Sequence, residues 1–217
     1  MVNYLEETFG LKDGQFIDPN VVIALGSDID DALAKVAPEQ LMDALLKQVC
    51  GHVYDSDDPH MAETPRRFVK MLGELTDSSE TFTFTMFESD SREMVIERNI
   101  SFVSVCAHHL APFVGTCQLG YIPDGKIAGL SKFPRHIQAM ARTLTNQEDL
   151  TRNIVESLMD ILEPRGVALV MEATHSCMSH RGARAHGTTT ITSAMRGIFE
   201  DHTKSAKVEF LSLIGSQ

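Results

Sequence analysis

The sequence lacks three features that would each assign it to a broad class of protein. No apolar run approaches the roughly 20 residues that cross a lipid bilayer, so we expect no membrane-spanning segment. The chain also lacks an excess of basic residues, since 19 Lys and Arg against 30 Asp and Glu give a formal net charge of −11. General binding to nucleic acid or to an anionic membrane surface is therefore not expected. Finally, the N-terminus has no basic start followed by an apolar run, so no secretory signal peptide is predicted.

Cysteine is scarce, with 4 residues in a chain of 217. An even number would allow two disulfides, but the missing signal peptide favours a cytoplasmic location, where thiols stay reduced. In that setting a cysteine close to histidines more often indicates metal binding or catalysis. The four cysteines are Cys50, Cys106, Cys117 and Cys177.

Two short stretches concentrate thiol and imidazole groups. Cys106, His108 and His109 lie within four residues, and His175 and Cys177 follow far downstream. Thiolate and neutral imidazole are preferred ligands of zinc, and a catalytic zinc site uses three protein ligands and leaves a position for water. The two stretches therefore suffice for a three-ligand site with histidines left over for proton transfer.

The spacing of these residues suggests which of them bind the metal. If the first stretch ends a strand, a bend there can bring Cys106 and His109 to one ion and leave His108 beside it. In the second stretch, His175 and Cys177 are two residues apart, so a strand would point both to the same face. We therefore predict Cys106, His109 and Cys177 as zinc ligands, and His108 and His175 as acid/base groups.

Hydrophobic periodicity divides the chain into an N-terminal part, 1–80, and a second domain, 81–217. Residues 1–37 are weakly patterned and are predicted to form a flexible or oligomer-contacting arm, followed by helices that begin at Pro38 and Thr64. In the second domain the order strand, strand, helix, helix, strand, strand predicts an α+β fold, an antiparallel four-stranded sheet with two helices on one face. The open face of such a sheet invites association with other copies. The predicted strands are 81–87, 94–105, 113–123, 126–130, 167–173 and 188–193, and the two helices start after Ser131 and near Glu148.

Several motifs together resemble the GTP cyclohydrolase I family. Cys-Ala-His-His-Leu-Ala-Pro-Phe begins at Cys106, Gly-Leu-Ser-Lys-Phe-Pro-Arg at Gly129, His-Ser-Cys-Met-Ser-His-Arg-Gly at His175, and Thr-Ser-Ala-Met-Arg-Gly at Thr192. They occur in the family's order, and the resemblance runs from about residue 38 to the C-terminus. One departure is Ala107, where the family usually has Glu, but it removes none of the predicted ligands.

The resemblance implies a fold, a reaction and an assembly. The fold would be the tunnelling fold, ββααββ after an N-terminal helical segment, with the sheets of several subunits joined into a barrel and two pentamers stacked into a decamer. The reaction would be zinc-dependent hydrolysis of GTP at C8, release of formate and rearrangement to 7,8-dihydroneopterin triphosphate. This is the first step of pterin, folate or 7-deazaguanine synthesis. For this reaction we assign His175 to protonation of N7 of the purine and His108 to the water near the metal, and the sequence fits equally well with the two roles exchanged.

Several cations predict a site for the triphosphate. Lys132 and Arg135 share one face at a helix start, where free N–H groups and the helix dipole favour an anion. Arg181 follows the second Cys/His stretch closely. The resemblance adds Arg67, from a motif Glu-Thr-Pro-x-Arg, and a contact from Ser131.

Gln147 and Glu148 match a Gln-Glu pair with which the family binds guanine. A carboxylate accepts two hydrogen bonds from the N1 and 2-amino groups of guanine, a donor pair that adenine lacks. We therefore predict that these two residues contact the base. The family often has Arg at the next position, which is Asp149 here.

Two other functions fit part of these residues. A protein that is not an enzyme could use Cys106, His108 or His109, His175 and Cys177 to close a structural zinc site. Alternatively, a tunnelling-fold enzyme could act on another pterin or deazapurine, although the reductase of that group relies on a differently placed catalytic cysteine whose motif is not seen here. Release of formate from GTP by the zinc-loaded protein distinguishes the enzyme from the structural domain.

Overall fold

The computed structural model describes residues 35–80, 83–201 and 205–215. The chain divides into two compact units, residues 1–73 and 74–217. The predicted arm lies outside the described residues as far as residue 34. A domain boundary after residue 80 stays a prediction.

The described part of the first unit is helical. Helix α1, Pro38–Cys50, begins with proline at its first position, and the side chain of Gln40 accepts a hydrogen bond of 3.3 Å from the N–H of Ala37. Proline suits this position because its missing N–H would have no partner within the helix. A single 3-10 turn, Gly51–Val53, follows. Helix α2, Thr64–Thr76, contains the boundary between the two units.

The second unit is built on a five-stranded sheet with the strand order β5-β2-β3-β6-β7. The strands described in this unit are β1 (Met86–Glu88), β2 (Val95–Cys106), β3 (Ala111–Ile122), β4 (Lys126–Ala128), β5 (Leu144–Thr145), β6 (Gly166–His175) and β7 (Thr190–Gly197). Its helices there are α3 (Lys132–Ala141), α4 (Gln147–Leu162), α5 (Ser176–Ser179) and α6 (Ala206–Gly215). Strands β1 and β4 pair separately as a two-stranded ribbon.

The main sheet is antiparallel except at one edge. β2, β3, β6 and β7 pair antiparallel in that order, and β5 joins β2 in parallel. The prediction of an α+β chain with an antiparallel sheet is therefore confirmed. The sheet has one strand more than the four predicted, because β5 is two residues long and too short to give an alternating pattern.

The core lies between one face of the sheet and helices α3 and α4. Phe102 of β2 and Cys117 of β3 point to this face, and Ile137 of α3 and Leu158 of α4 pack against it. Cys106 is the last member of the same buried row on β2. Burial of this face therefore places the end of β2, and its thiol, at the margin of the core.

Helix α6 covers only one end of the opposite face. Phe210 packs there with Ala168, and at the other end Val103, Val114 and Ile191 are 41%, 48% and 64% exposed. Within the described residues, apolar side chains of β2, β3 and β7 thus remain exposed on this face of the sheet.

None of the helices in the described residues has both the length and the apolar character needed to cross a membrane.

Candidate active site

The first Cys/His stretch forms the tight turn between β2 and β3. The N–H groups of His109 and Leu110 donate to the carbonyl of Cys106 over 3.2 and 2.9 Å, and Leu110 has a positive φ of 50°. The N–H of Ala107 donates to the carbonyl of Thr145 over 3.0 Å, which any residue except proline could do. This turn folds His109 back towards the thiol, with 3.7 Å between its Nδ1 and Sγ of Cys106.

The second stretch does not continue as a strand. β6 ends at His175, and Cys177 lies on the four-residue helix α5. The hydroxyl of Ser179 donates to the carbonyl of His175 over 3.1 Å, and the N–H of His180 donates to the carbonyl of Ser176 over 3.1 Å. The expectation that a strand points both residues to one face is therefore wrong. These local hydrogen bonds turn the chain into a helix at this point.

The three predicted metal ligands nevertheless lie together. The donor atoms of Cys106, His109 and Cys177 are all within 4.8 Å of one another, an arrangement compatible with a metal site. Cys106 is buried, Cys177 is partly buried and His109 is exposed, so one side of the cluster faces solvent. Two sulfurs and one imidazole nitrogen form a donor set that suits zinc.

The charges of the two cysteines also favour a cation bound between them. Burial raises the pKa of the Cys177 thiol, and the neighbouring Cys106 thiol raises it further, whereas Arg181 lowers it. Two thiolates in contact repel each other, and a divalent cation between them removes that cost because it binds the deprotonated form. Nδ1 of His108 lies 3.8 Å from Sγ of Cys106 and is outside the three-ligand group.

His175 is held in a fixed position beside this cluster. Its ring stacks on Phe113, with centroids 4.7 Å apart and planes 7° from parallel, and its Nε2 lies 2.7 Å from Oε1 of Gln147. Burial lowers the pKa of His175, and the negative charge of Glu148 opposes that shift. The neutral imidazole is therefore favoured near pH 7.

Gln147, predicted as a substrate contact, lies inside the fold with 1% of its surface exposed. Its oxygen faces His175, and its amide nitrogen lies within hydrogen-bonding distance of the carbonyls of Met171 and Thr190 and the hydroxyl of Thr192. Its side chain thus contacts protein groups on both sides.

Glu148 is exposed in the first turn of α4. The next residue, Asp149, takes part in the N-terminal cap of this helix. The side chain of Asn146 accepts a hydrogen bond from the N–H of Asp149 over 2.7 Å and donates one to its carboxylate over 2.7 Å. Asp149 also pairs with Arg152, 2.5 Å away. Asp149 therefore helps to cap α4 and leaves Glu148 uninvolved in the cap.

The predicted phosphate-binding cations are placed differently from one another. Arg181 follows α5 and is close enough to Cys177 to affect the pKa of its thiol. Lys132 and Arg135 lie in the first turn of α3, and within residues 83–201 neither forms an ion pair. Ser131 precedes this helix, and its side chain makes no capping hydrogen bond.

Arg67 lies in the first turn of α2, within the first unit.

The groups that support His175 were not predicted from the sequence. They are Phe113, Thr151 and Thr192. Phe113 could have been suspected only from its place opposite His175 in the sheet register, which the sequence does not give. Thr151 carried a weak signal, since it lies four residues after Gln147 and so on the same helix face.

Three relatives of this chain carry the name GTP cyclohydrolase 1. A protein named GTP cyclohydrolase 1 from Gloeobacter violaceus is 39% identical over 194 residues, covering 85% of this chain and 90% of that protein. One of the same name from Campylobacter curvus is 42% identical over 168 residues, covering 74% and 88%. A third, from Geobacillus kaustophilus, is 41% identical over 166 residues, covering 73% and 88%.

The chain also matches a solved structure and a family model. A solved structure described as an archaeosine synthase QueF-like protein in the apo form is 18% identical and covers 51% of this chain and 97% of that chain, with a TM-score of 0.40. A likeness this distant does not bear on function. The family model described as GTP cyclohydrolase I matches residues 38–215. The chain therefore belongs to the GTP cyclohydrolase I family, as its motifs predicted.

Proposed function

We propose that this protein is a zinc-dependent GTP cyclohydrolase I, which hydrolyses GTP at C8, releases formate and forms 7,8-dihydroneopterin triphosphate. The observation that carries the proposal is the convergence of Cys106, His109 and Cys177 within 4.8 Å, with His175 only two residues from Cys177. Family membership supports GTP as the substrate and the tunnelling fold, ββααββ, as the architecture. The product would enter pterin, folate or 7-deazaguanine synthesis.

Cys106, His109 and Cys177 would hold the zinc, with the cysteines as thiolates and the histidine neutral. When bound, zinc lowers the pKa of a coordinated water and so supplies a nucleophile near neutral pH. His108 lies beside the cluster, with Nδ1 3.8 Å from Sγ of Cys106, and is assigned to hold a proton next to the ligands. A cluster of three protein ligands supports a catalytic site over a closed structural one.

His175 is assigned to proton transfer at N7 of the guanine. Its Nε2 is engaged with Gln147, so Nδ1 is the nitrogen that would reach the substrate. Its lowered pKa means that the ring, once protonated, gives its proton up readily near neutral pH. Gln147 would therefore act through His175.

Substrate recognition is assigned to charged residues around this centre. The Glu148 carboxylate would accept the N1 and 2-amino hydrogens of guanine, since it is exposed and its charge already affects His175. Arg181 would contact the triphosphate, because it lies near the metal ligands. The remaining triphosphate contacts are assigned to Arg67, Ser131, Lys132 and Arg135.

We also infer a homo-oligomer, a decamer of two stacked pentamers. The exposed Val103, Val114 and Ile191 on the uncovered end of the sheet support association with other copies. Light scattering on the purified protein measures the number of subunits directly.

A cytoplasmic location is supported by the free thiols of all four cysteines.

Purified, zinc-loaded protein incubated with GTP tests the reaction. We expect release of formate together with the fluorescence of a pterin, and loss of both on addition of a chelator. ATP in place of GTP is the matched control and should release no formate. Fully zinc-loaded protein that releases none from GTP would favour the structural zinc domain instead.

A further inference from the structure

Three polar side chains form a connected network in the layer between α4 and the sheet. Gln147 and Thr151 are each 1% exposed, and Thr192 reaches them from β7. The hydroxyl of Thr151 lies 2.6 Å from the carbonyl of Gln147 and 2.6 Å from the hydroxyl of Thr192. Buried polar groups must find partners within the fold, and here each of them does.

The direction of each hydrogen bond follows from what its partners can offer. The amide nitrogen of Gln147 faces the carbonyls of Met171 and Thr190 over 3.2 and 3.0 Å, and carbonyls only accept. The amide oxygen cannot take that place, so it must face His175. This assignment fixes which end of the Gln147 amide is presented to the imidazole.

The donors and acceptors of the Thr151 and Thr192 hydroxyls can be assigned in the same way. Thr151 donates its single hydrogen to the carbonyl of Gln147, which only accepts. Thr192 must therefore donate to Thr151, and it also lies 3.1 Å from the Gln147 amide nitrogen, which donates to it. Because the amide has two hydrogens for three acceptors, it shares one of them between Thr192 and a neighbouring carbonyl. The bonds run from the Gln147 side chain through Thr192 and Thr151 back to the Gln147 backbone, and so form a closed ring.

The orientation of the Gln147 amide determines which ring nitrogen of His175 carries a hydrogen. Oε1 of Gln147 can only accept, so Nε2 of His175, 2.7 Å away, must carry a hydrogen and donate it. Nδ1 is then the nitrogen that can take up or deliver a proton at the substrate. Stacking on Phe113 fixes the plane of the imidazole, and Gln147 fixes its rotation within that plane.

We propose that Thr192 is a positioning residue for the reaction, which with Thr151 locks the Gln147 amide so that His175 keeps its hydrogen on Nε2 and presents Nδ1 to the substrate. The inference rests on the proposed GTP hydrolysis. Among the described residues, the side-chain hydrogen bonds of Thr192 join it to Gln147 and Thr151 and not to the metal ligands or Glu148, so its effect should be on turnover rather than on zinc or substrate binding.

Two substitutions at this position test the proposal. Thr192→Val replaces the hydroxyl by a methyl group, which cannot approach a hydroxyl at 2.6 Å and displaces it, whereas Thr192→Ser keeps the hydroxyl. We expect the valine variant to lose about tenfold in kcat with KM for GTP within about threefold, as for a misaligned acid/base group. The serine variant should keep kcat within about threefold. Ser193→Ala, with its side chain on the opposite face of the same strand, is the control and should match the parent protein.

A spectroscopic measurement separates positioning from a general loss of structure. In 15N-labelled protein, the ring nitrogens of His175, identified by their loss in His175→Gln, should show the hydrogen on Nε2 in the parent and in Thr192→Ser. Thr192→Val should shift the signal towards a mixture of the two neutral tautomers. Bound zinc per chain should be the same in all of them.

Failure of the proposed function and failure of the proposed role of Thr192 give different results. If the parent releases no formate from GTP, the proposed function is overturned. If the parent is active and the valine and serine variants have equal kcat, or the tautomer is unchanged in both, only the role of Thr192 is overturned. Thr151→Val and Thr151→Ser repeat the comparison at the other hydroxyl should Thr192→Val not fold. If both valine variants are unfolded, the hydroxyls serve stability and the proposal is wrong.

Discussion

His175 and Phe113 lie directly opposite each other in the register of β6 and β3, and their rings stack at 4.7 Å. Phe113 is fully buried, so the plane of the imidazole is set by the sheet rather than by a loop. The proton transfer proposed for His175 needs such a fixed orientation, because small displacements of reacting groups cost large factors in rate.

Replacing the stacking partner should therefore affect turnover beyond its effect on stability. Phe113→Leu removes ring contacts in the core and should lower the free energy of unfolding by about 1–3 kcal/mol. We also expect kcat to fall several-fold, since the imidazole loses the surface that defines its plane. Thermal unfolding and initial rates of formate release measure the two effects.

Phe102→Leu is the matched control. Phe102 is also buried and meets Phe113 edge to face, with centroids 6.1 Å apart. A similar loss of Tm with a smaller loss of kcat would support the role of Phe113. Equal losses of kcat in the two variants would mean that packing alone matters.

The three-ligand cluster predicts how zinc depends on single thiols. Cys177→Ser should reduce bound zinc from about one per chain to a small fraction and abolish formate release, because two of three ligands hold zinc poorly. Cys50→Ser, a partly buried cysteine of α1 outside the cluster, should keep both. Metal analysis after gel filtration provides the measurement, and full zinc content in Cys177→Ser would contradict the assignment.

Guanine recognition should depend on the carboxylate of Glu148. Glu148→Ala removes two charge-assisted hydrogen bonds, so we expect GTP to bind about 100-fold more weakly with unchanged zinc content. Asp160→Ala, an exposed acid on the same helix, should bind GTP normally. Calorimetry with GTP measures both variants, and normal affinity in Glu148→Ala would remove its proposed role.

Glu97 should make stability depend on pH. Its Oε1 is buried and has no hydrogen-bond partner among the described residues, and burial raises the pKa of this carboxyl from 4.5 to about 7. Below pH 4.5 both the folded and the unfolded chain hold the proton. As the pH rises towards 7 the unfolded chain releases it first, so the stability contributed by the neutral carboxyl is lost over that interval and stays lost above it.

Glu97→Gln cannot ionise and should escape this loss. We expect its Tm to exceed that of the parent by a few degrees at pH 8, with a much smaller difference at pH 5. Glu93→Gln, at an exposed position just before β2, should show no such dependence on pH. A Tm difference for Glu97→Gln that is the same at both pH values would contradict the expected sign.

Much of the fold and the site could be predicted from the sequence because the relevant patterns are local. The β-rich composition of β2 and β3 and the helical spacing of apolar residues in α3 and α4 each depend on neighbouring residues, and they predicted an α+β chain with an antiparallel sheet. β5 was missed because two residues have no periodicity. The expectation that His175 and Cys177 share a strand face was wrong, because hydrogen bonds from Ser179 and His180, not a hydrophobic pattern, end the strand at His175.

By itself the sequence determined the kinds of group available, thiols, imidazoles and a Gln-Glu pair, and through its motifs the family. Only the tertiary structure decided which of these groups meet. The sheet register places His175 on Phe113, and the packing of β7 on α4 turns Gln147 towards His175. Such pairings depend on how distant strands align and close on one another, and residues that are far apart in the chain carry no local signal of that alignment.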